Sequence, residues 1–108
     1  MDLDGTICFP NLSEKSSEKR YGEAIPNQPV INKMKALSDD GWKFVILTAR
    51  RMVTHNGDIS KIIYDVGKIT SDWLEKYEVP YEHIQWGKPY AAYYVDDKAL
   101  TLEGFINL

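Results

Sequence analysis

The apolar residues between positions 29 and 48 follow two different periods. A helical spacing begins at Pro29 and ends at Gly41, and its apolar face consists of Val30, Ile31, Met34 and Leu37. Proline suits the first turn of a helix because its missing N–H would be unpaired there, and glycine suits the residue after the last turn. The next run, Lys43–Thr48, is continuous and β-branched, which predicts a buried strand.

The same alternation continues in the second half of the chain. A second amphipathic helix is predicted from about Val66 to Tyr77, with Ile69, Trp73, Leu74 and Tyr77 facing inward. Val79-Pro80 ends it, because the residue before a proline is pushed out of helical geometry. His83–Trp86 and Tyr93–Val95 predict two further strands, and residues 49–62 are interpreted as an irregular loop. Strands that alternate with helices predict an α/β fold with a mainly parallel sheet.

The first 28 residues are less periodic. The opening residues through Gly5 predict the end of a strand and a turn. Residues 9–28 are polar and contain Pro10, Gly22 and Pro26, which predicts a flap or loop insertion; a solvated connector is the alternative interpretation. Residues 1–108 contain no linker or repeat, so we expect a single domain.

Composition and charge narrow the class of protein. Hydrophobic residues make up 44% and aromatic residues 12% of the 108 residues, which excludes a disordered chain. The net charge of −3 gives no bulk attraction to nucleic acid. The lone Cys8 cannot form an internal disulfide, and neither a membrane-spanning run nor a signal-like N-terminus is present. These features predict a cytoplasmic protein with no membrane partner.

Reactive residues occur at four predicted strand ends, where ligands bind in open α/β sheets. Asp2 and Asp4 are two residues apart, so in a strand both carboxylates point to one side. Thr48, the turn around Lys88, and Asp96-Asp97 follow the other strands. Taken singly, these are ordinary features of solvated turns, strand ends and helix caps. Their order and spacing along the chain, taken together, favour a shared functional site.

The segments Asp2-Leu3-Asp4-Gly5-Thr6, Thr48, Lys88 and Asp96-Asp97 resemble, in order, the four motifs of the haloacid dehalogenase superfamily of phosphotransferases. The sequences LTARRM, GKPY and YYVDDKA further resemble small phosphatase-like proteins associated with bacterial capsule biosynthesis. This resemblance implies a three-layer Rossmann-like fold with the Asp2–Asp4 strand at its centre. The gaps between the motifs are too short for a large cap domain, so a capless protein or one with a minimal flap is expected.

The resemblance also implies a role for each residue. Asp2 would be the nucleophile that forms an aspartyl-phosphate, and Asp4 the general acid and base. Substrate binding would fall to Thr48, Ala49, Arg50 and Lys88. A Mg²⁺ ion would be held by Asp2, the backbone carbonyl of Asp4, and Asp97, with Asp96 as a further ligand or a partner of one. Without a cation, these carboxylates would repel a phosphate.

Three functions remain open from the sequence. The first is a Mg²⁺-dependent phosphomonoesterase acting on a sugar phosphate or related metabolite of surface-polysaccharide synthesis. The second is a polynucleotide or nucleotide phosphatase, and the third is a non-catalytic binding module with the same fold. Capless members act on macromolecules or borrow a lid from a second subunit, so a homo-oligomer enclosing a small substrate is one expectation.

Three further expectations concern individual residues. Arg50 and Arg51 follow Thr48 and either reach a second anionic group of the substrate or lie on a solvated loop. Most of the aromatic residues are interpreted as core, and Tyr90 is the one that we would test for stacking on a sugar or base. Only Met1 precedes Asp2, so we expect either further apolar residues ahead of Met1 or another segment that completes the central strand.

Overall fold

The fold contains a pair of parallel strands joined by a long helix. Most of the predicted site residues lie near the carboxyl ends of these two strands. The structure, a computed structural model, describes residues 1–108. The elements in chain order are β1 (Cys8–Phe9), α1 (Ser17–Arg20), β2 (Ile25–Pro26), α2 (Gln28–Asp39), β3 (Val45–Thr48), α3 (Ile59–Lys76), β4 (His83–Trp86) and α4 (Leu102–Ile106).

Two short sheets make the fold a mixed α/β arrangement. β3 and β4 pair in parallel, with Val45 opposite His83 and Thr48 opposite Trp86. β1 and β2 pair in antiparallel orientation. On the other side of β3, the Met1 amine donates to the Val45 carbonyl at 2.8 Å. The α/β class is therefore confirmed, whereas the mainly parallel sheet is reduced to one pair and the expected three-layer arrangement is not seen in these two-stranded sheets.

The two long helices agree with the apolar pattern to different degrees. α2 buries the four predicted residues Val30, Ile31, Met34 and Leu37. α3 begins at Ile59 rather than near Val66, so the prediction that residues 49–62 are all irregular was wrong for its last four residues. The Asp58 side chain caps this helix by accepting the Lys61 amide, and Ile62 and Val66 are buried one turn apart. No helix is long and apolar enough to cross a membrane.

The predicted strand at Tyr93–Val95 was also wrong. These residues adopt no strand, and Tyr93 and Val95 are almost fully exposed. A strand there would need a partner edge, and beside β3 that edge is occupied by Met1, which already bonds both Val45 and Leu47. The apolar run joins neither sheet and stays in an irregular segment.

One core of 14 residues holds the elements together. It draws on the N-terminal turn, α2, β3, the end of α3 and α4, with Leu3, Ile7, Ile31, Met34, Ile46 and Leu74 fully buried. Phe105 of α4 closes it, with its ring edge-on to Phe44 at a centroid distance of 6.2 Å. A smaller cluster of Tyr21, Ile62 and Val66 lies between α1 and α3.

Residues 9–28, predicted to be a flap or loop insertion, are called the flap below. Its base is the β1–β2 hairpin, and α1 lies within it. The flap is not a solvated connector, because Tyr21 and Ala24 are buried and the Trp73 indole donates to the Ala24 carbonyl at 2.9 Å. This packing fixes the flap over one end of the strand pair.

Candidate active site

A cavity of about 860 Å³ opens at the carboxyl ends of β3 and β4. Its walls come from the N-terminal turn, the flap, the loop after β3 and the segment after β4. Six of the eight predicted site residues line it: Asp2, Asp4, Thr48, Ala49, Arg50 and Lys88. The topology thus brings together residues that are up to 86 positions apart, as expected where parallel strands end at a common edge.

The N-terminal turn presents both acidic side chains to the cavity. Leu3 is fully buried in the core, so its neighbours Asp2 and Asp4 project to the opposite side, as the alternation predicts. The chain then reverses at Gly5, whose φ of +81° favours glycine, and the Leu3 carbonyl accepts the amides of Thr6, Ile7 and Cys8. This turn brings both carboxylates to the cavity without a long strand.

Asp4 is fixed by a buried arginine. Arg50 Nε donates to Asp4 Oδ2 at 3.1 Å, and Arg50 Nη2 donates to Asp4 Oδ1 at 2.5 Å. The arginine side chain is 2% exposed and the aspartate side chain 30%. A two-pronged pair of this kind fixes the plane of the carboxylate as well as its position. Asp4 is therefore anchored on its protein side and open on its cavity side.

The remaining donors of Arg50 are also used within the protein. Nη1 donates to Thr70 Oγ1 at 2.8 Å, and the guanidinium lies over the Tyr21 ring at 4.2 Å from its centroid. Each nitrogen of the guanidinium thus has a partner within the protein, and the expectation that Arg50 also binds substrate stays a prediction. The alternative interpretation, a solvated loop, is wrong for Arg50, since this residue is buried.

Thr48 and Lys88 form the opposite wall. The Thr48 hydroxyl oxygen accepts the Arg50 amide at 3.0 Å, which leaves its own proton to donate into the cavity. The Lys88 amide donates to the Thr48 carbonyl at 3.0 Å, continuing the β3–β4 pairing past the strand end. Lys88 Nζ lies 3.5 Å from Asp2 Oδ1 and 4.1 Å from the Tyr94 ring centroid. The Lys88 ammonium therefore lies beside the carboxylate of Asp2, the predicted nucleophile.

Gly87 sets the direction of the chain at Lys88. Its φ is +92°, and a Cβ at this position would lie 2.8 Å from Ile59 Cδ1. Glycine therefore satisfies both the backbone conformation and the close approach of α3.

The charges lining the cavity favour an anionic ligand. Four basic residues, Arg20, Arg50, Arg51 and Lys88, face two acidic ones, Asp2 and Asp4. Arg50, Lys88 and Arg51 pair with Asp4, Asp2 and Asp65, so Arg20 remains as a local positive charge on a chain whose net charge is −3. A concave surface with a local positive excess attracts a phosphate or carboxylate.

Asp96 and Asp97 are not brought to this site. Both are exposed, neither lines the cavity, and Asp96 Oδ1 accepts the Lys98 amide in a local turn. The predicted set of Asp2, Asp4, Asp96 and Asp97 therefore does not assemble, because the strand that would have carried the last two does not form. No group of three or more His, Cys, Asp or Glu side chains is arranged to hold a metal. As arranged, the residues present do not fit the expected Mg²⁺ site.

A second polar cluster, not predicted from the sequence, ties the flap to α3. Asp65 Oδ1 accepts the Ser17 hydroxyl at 2.6 Å, and Asp65 Oδ2 lies 2.8 Å from His55 Nε2. Arg51 Nη2 donates to the Lys15 carbonyl and to Ser17. Partial burial alone would raise the pKa of Asp65, but these hydrogen bonds and the charge of Arg51 outweigh it and hold that pKa below its ordinary value.

The local sequence gives little signal for these partners. Tyr21, Thr70 and Asp65 are common residues in polar surroundings; Tyr21 meets Arg50 from the flap, whereas Thr70 and Asp65 meet their arginines from α3. The one usable signal was the helical spacing of Ile62 and Val66, which places Asp65 and Thr70 in α3.

The fold and the cavity together define an α/β protein with an anion-attracting site at the ends of two parallel strands. No family model and no curated protein matches the chain. Among solved structures, it is similar to the crystal structure of a structural-genomics target from Vibrio cholerae, with 34% identity over 99% of this chain and 85% of that chain and a TM-score of 0.88. The chain therefore belongs to the same protein family as that Vibrio cholerae protein, whose description names no activity.

Proposed function

We propose that this protein is a phosphomonoester hydrolase that forms a covalent intermediate on Asp2. The observation that supports it best is the meeting of Asp2, Asp4, Thr48 and Lys88 in one cavity with a positive excess. These four residues are the ones that the resemblance to the haloacid dehalogenase superfamily assigns to the reaction. The finer Rossmann-like description of the fold and a cytoplasmic location belong to the same proposal.

The chemistry follows from the position of each side chain. Lys88 and the Thr48 hydroxyl bind the phosphoryl oxygens, and Lys88 offsets the repulsion between Asp2 and the phosphate. An Asp2 oxygen attacks phosphorus while the ester P–O bond breaks, and the leaving oxygen takes a proton from Asp4, which enters this step protonated on its cavity side. Asp4, then a carboxylate held by Arg50, accepts a proton from the water that hydrolyses the aspartyl-phosphate. Inorganic phosphate leaves and Asp2 is regenerated.

Other classes have less support. A non-catalytic binding module has no need for two adjacent carboxylates in an anion-binding cavity, where they weaken binding by repulsion. Among substrates, the resemblance to the capsule-biosynthesis subfamily favours a sugar phosphate, with a nucleotide as the alternative.

The test is hydrolysis of a generic aryl phosphate by the purified chain. Asp2→Asn should lower kcat at least ~10³-fold, since an amide cannot form the intermediate. Asp40→Asn, an exposed residue at the end of α2, is the matched control and should retain full activity. An Asp2→Asn protein as active as the wild type would overturn the assignment of the nucleophile, and a wild type that hydrolyses no phosphate ester would overturn the proposed function.

A Mg²⁺ requirement stays a prediction from the resemblance. The same assay with EDTA and with added Mg²⁺ decides it, because a required ion makes activity fall on chelation and return on addition. Activity unchanged by EDTA would agree with the finding that Asp96 and Asp97 do not join Asp2 and Asp4 at the site. It would remove Mg²⁺ from the proposal.

A further inference from the structure

Five apolar side chains surround the opening of the cavity and are not used by the core. Phe9 and Leu12 come from the flap, Val53 from the loop after β3, and Tyr90 and Tyr94 from the segment after β4. They are between 44% and 75% exposed. Single exposed apolar residues are common, but these five come from three separate segments and line the same cavity. We call them the mouth residues.

The mouth residues lie next to the cation that would bind a phosphate. Lys88 Nζ contacts the Tyr94 ring, and Tyr90 is two residues beyond Lys88 in the chain. A phosphate ester bound at Lys88 and Asp2 therefore has its organic substituent beside these tyrosines. The cavity of about 860 Å³ is in the range of sites that enclose whole small molecules, so it has room for more than a phosphate.

The polar groups near the opening are largely committed to the protein. Arg51 donates to Lys15, Ser17 and Thr54, and Arg20 donates to the carbonyls of Leu12 and Glu14. Phe9, Leu12 and Val53 carry no polar side-chain atoms. A sugar ring displays hydroxyl groups around its edge, and each hydroxyl that is buried without a partner costs binding energy. An aromatic ring carries no such penalty.

We propose that the mouth residues bind the leaving group of the substrate and select one that carries a flat aromatic ring, which stacks on Tyr90. This rests on the proposed function in that the cavity binds a phosphate ester. It identifies the substrate class as a monophosphate ester whose organic group carries an aromatic ring, in place of the simple sugar phosphate that the resemblance favours.

The test compares two non-hydrolysable probes that differ only in the ring. Phenylphosphonate and methylphosphonate share the anionic group, and their dissociation constants are measured by titration calorimetry. We expect phenylphosphonate to bind about tenfold more tightly, the size of one stacking contact. Tyr90→Ala should remove most of that ratio. Tyr93→Ala is the matched control, because Tyr93 is exposed in the same segment but does not line the cavity.

The Lys88→Met variant separates the contribution of the ring to binding from that of the anionic group. It should weaken the binding of both probes by the same factor and leave the ratio of their dissociation constants unchanged. Equal affinities of the two probes for the wild type would overturn the proposal, as would failure of both to bind. A ratio that is lost equally in Tyr90→Ala and Tyr93→Ala would overturn the assignment to Tyr90. Tight phenylphosphonate binding by a protein that hydrolyses no ester would leave this proposal standing and overturn only the proposed hydrolase.

Discussion

At the scale of single residues, Arg50 and Asp4 form the best-defined contact of the site. A guanidinium spans both oxygens of a carboxylate, while a lysine ammonium is a point charge on a flexible stem. The bonds to Thr70 and the packing on Tyr21 fix the guanidinium itself. Arg50 therefore acts in the proposed reaction as a positioning residue for Asp4, and its role differs from that of Lys88.

Arg50→Lys should lower kcat by about 10–100-fold and leave KM within about twofold, because Asp4 loses its fixed plane while the phosphate keeps Lys88 and Thr48. Steady-state kinetics with the aryl phosphate measure this split. In Arg50→Ala, added guanidinium ion at a non-denaturing concentration should restore part of kcat. A rise in KM at constant kcat would show instead that Arg50 binds the substrate.

Cys8 gives a second prediction at this scale. Burial, with the neighbouring Asp4 carboxylate, raises the pKa of the Cys8 thiol from 9.0 to about 12. The native protein should therefore react slowly with a disulfide reagent at pH 8 and rapidly once unfolded in denaturant. Since the unfolded thiol ionises first, Cys8 should lower the free energy of unfolding as the pH rises from about 9 to about 12. Rapid reaction of the native protein at pH 8 would contradict the burial of this thiol.

At the scale of elements, the contact of Ser17 with Asp65 connects α1 to α3 and holds the flap over the cavity. Asp65→Asn should loosen this contact, because a neutral amide is a weaker acceptor and no longer attracts Arg51. Trypsin should then cut faster at Lys15 or Lys19. Asp72→Asn is the control, since Asp72 pairs only with Lys68 on the exposed face of the same helix. Equal cleavage rates in the two variants would show that Asp65 does not hold the flap.

The contact should also depend on pH in a defined direction. The lowered pKa of Asp65 means that its stabilisation is complete above the ordinary value of 3.8 and is lost as the pH falls through the lowered value. The difference in unfolding free energy between wild type and Asp65→Asn should therefore shrink in acid. If the difference in unfolding free energy grew as the pH fell, the lowered pKa of Asp65 would be contradicted.

The elements that could be predicted from the sequence are those whose own residues are enough to determine their secondary structure. α2 has a complete apolar face, a proline at its start and Gly41 after its end. β3 is a short apolar run, and β4 alternates polar with apolar residues and pairs with it. Tyr93–Val95 has the composition of a strand but pairs with no other strand, and a pairing partner is supplied by the rest of the molecule. The first turns of α3 were missed because polar residues precede Ile62 and hide the cap at Asp58.

The same distinction applies to the candidate site. Asp2, Asp4, Thr48 and Lys88 could be placed together because each follows a predicted strand or turn, and parallel strands end at one edge. The pairing of Arg50 with Asp4 spans 46 positions and depends on the loop between β3 and α3, which has no periodic pattern. The failure to place Asp96 and Asp97 follows directly from the strand that did not form.

At the scale of the whole molecule, the chain returns to its core after leaving the site. The segment after Lys88 has no helix or strand until α4, and much of it is exposed. α4 is capped by Thr101, whose hydroxyl accepts the Gly104 amide, and it packs on α2. Phe105 is its only buried residue, so one aromatic ring holds the end of this segment to the core.

Phe105→Ala should therefore lower the free energy of unfolding by about 3–5 kcal/mol, since it removes a buried ring and leaves a cavity against Phe44. In a domain of this size the melting temperature should fall by roughly 10 °C or more. Ile106→Ala is the matched control, because the neighbouring side chain is about one-third exposed and its loss should cost far less. Lys88 is held by its own bond to Thr48, so kcat of Phe105→Ala, measured well below its melting temperature, should match the wild type. Equal destabilisation by the two variants would show that α4 packs on the core through its whole surface. A lower kcat in a fully folded Phe105→Ala protein would show that α4 also positions Lys88.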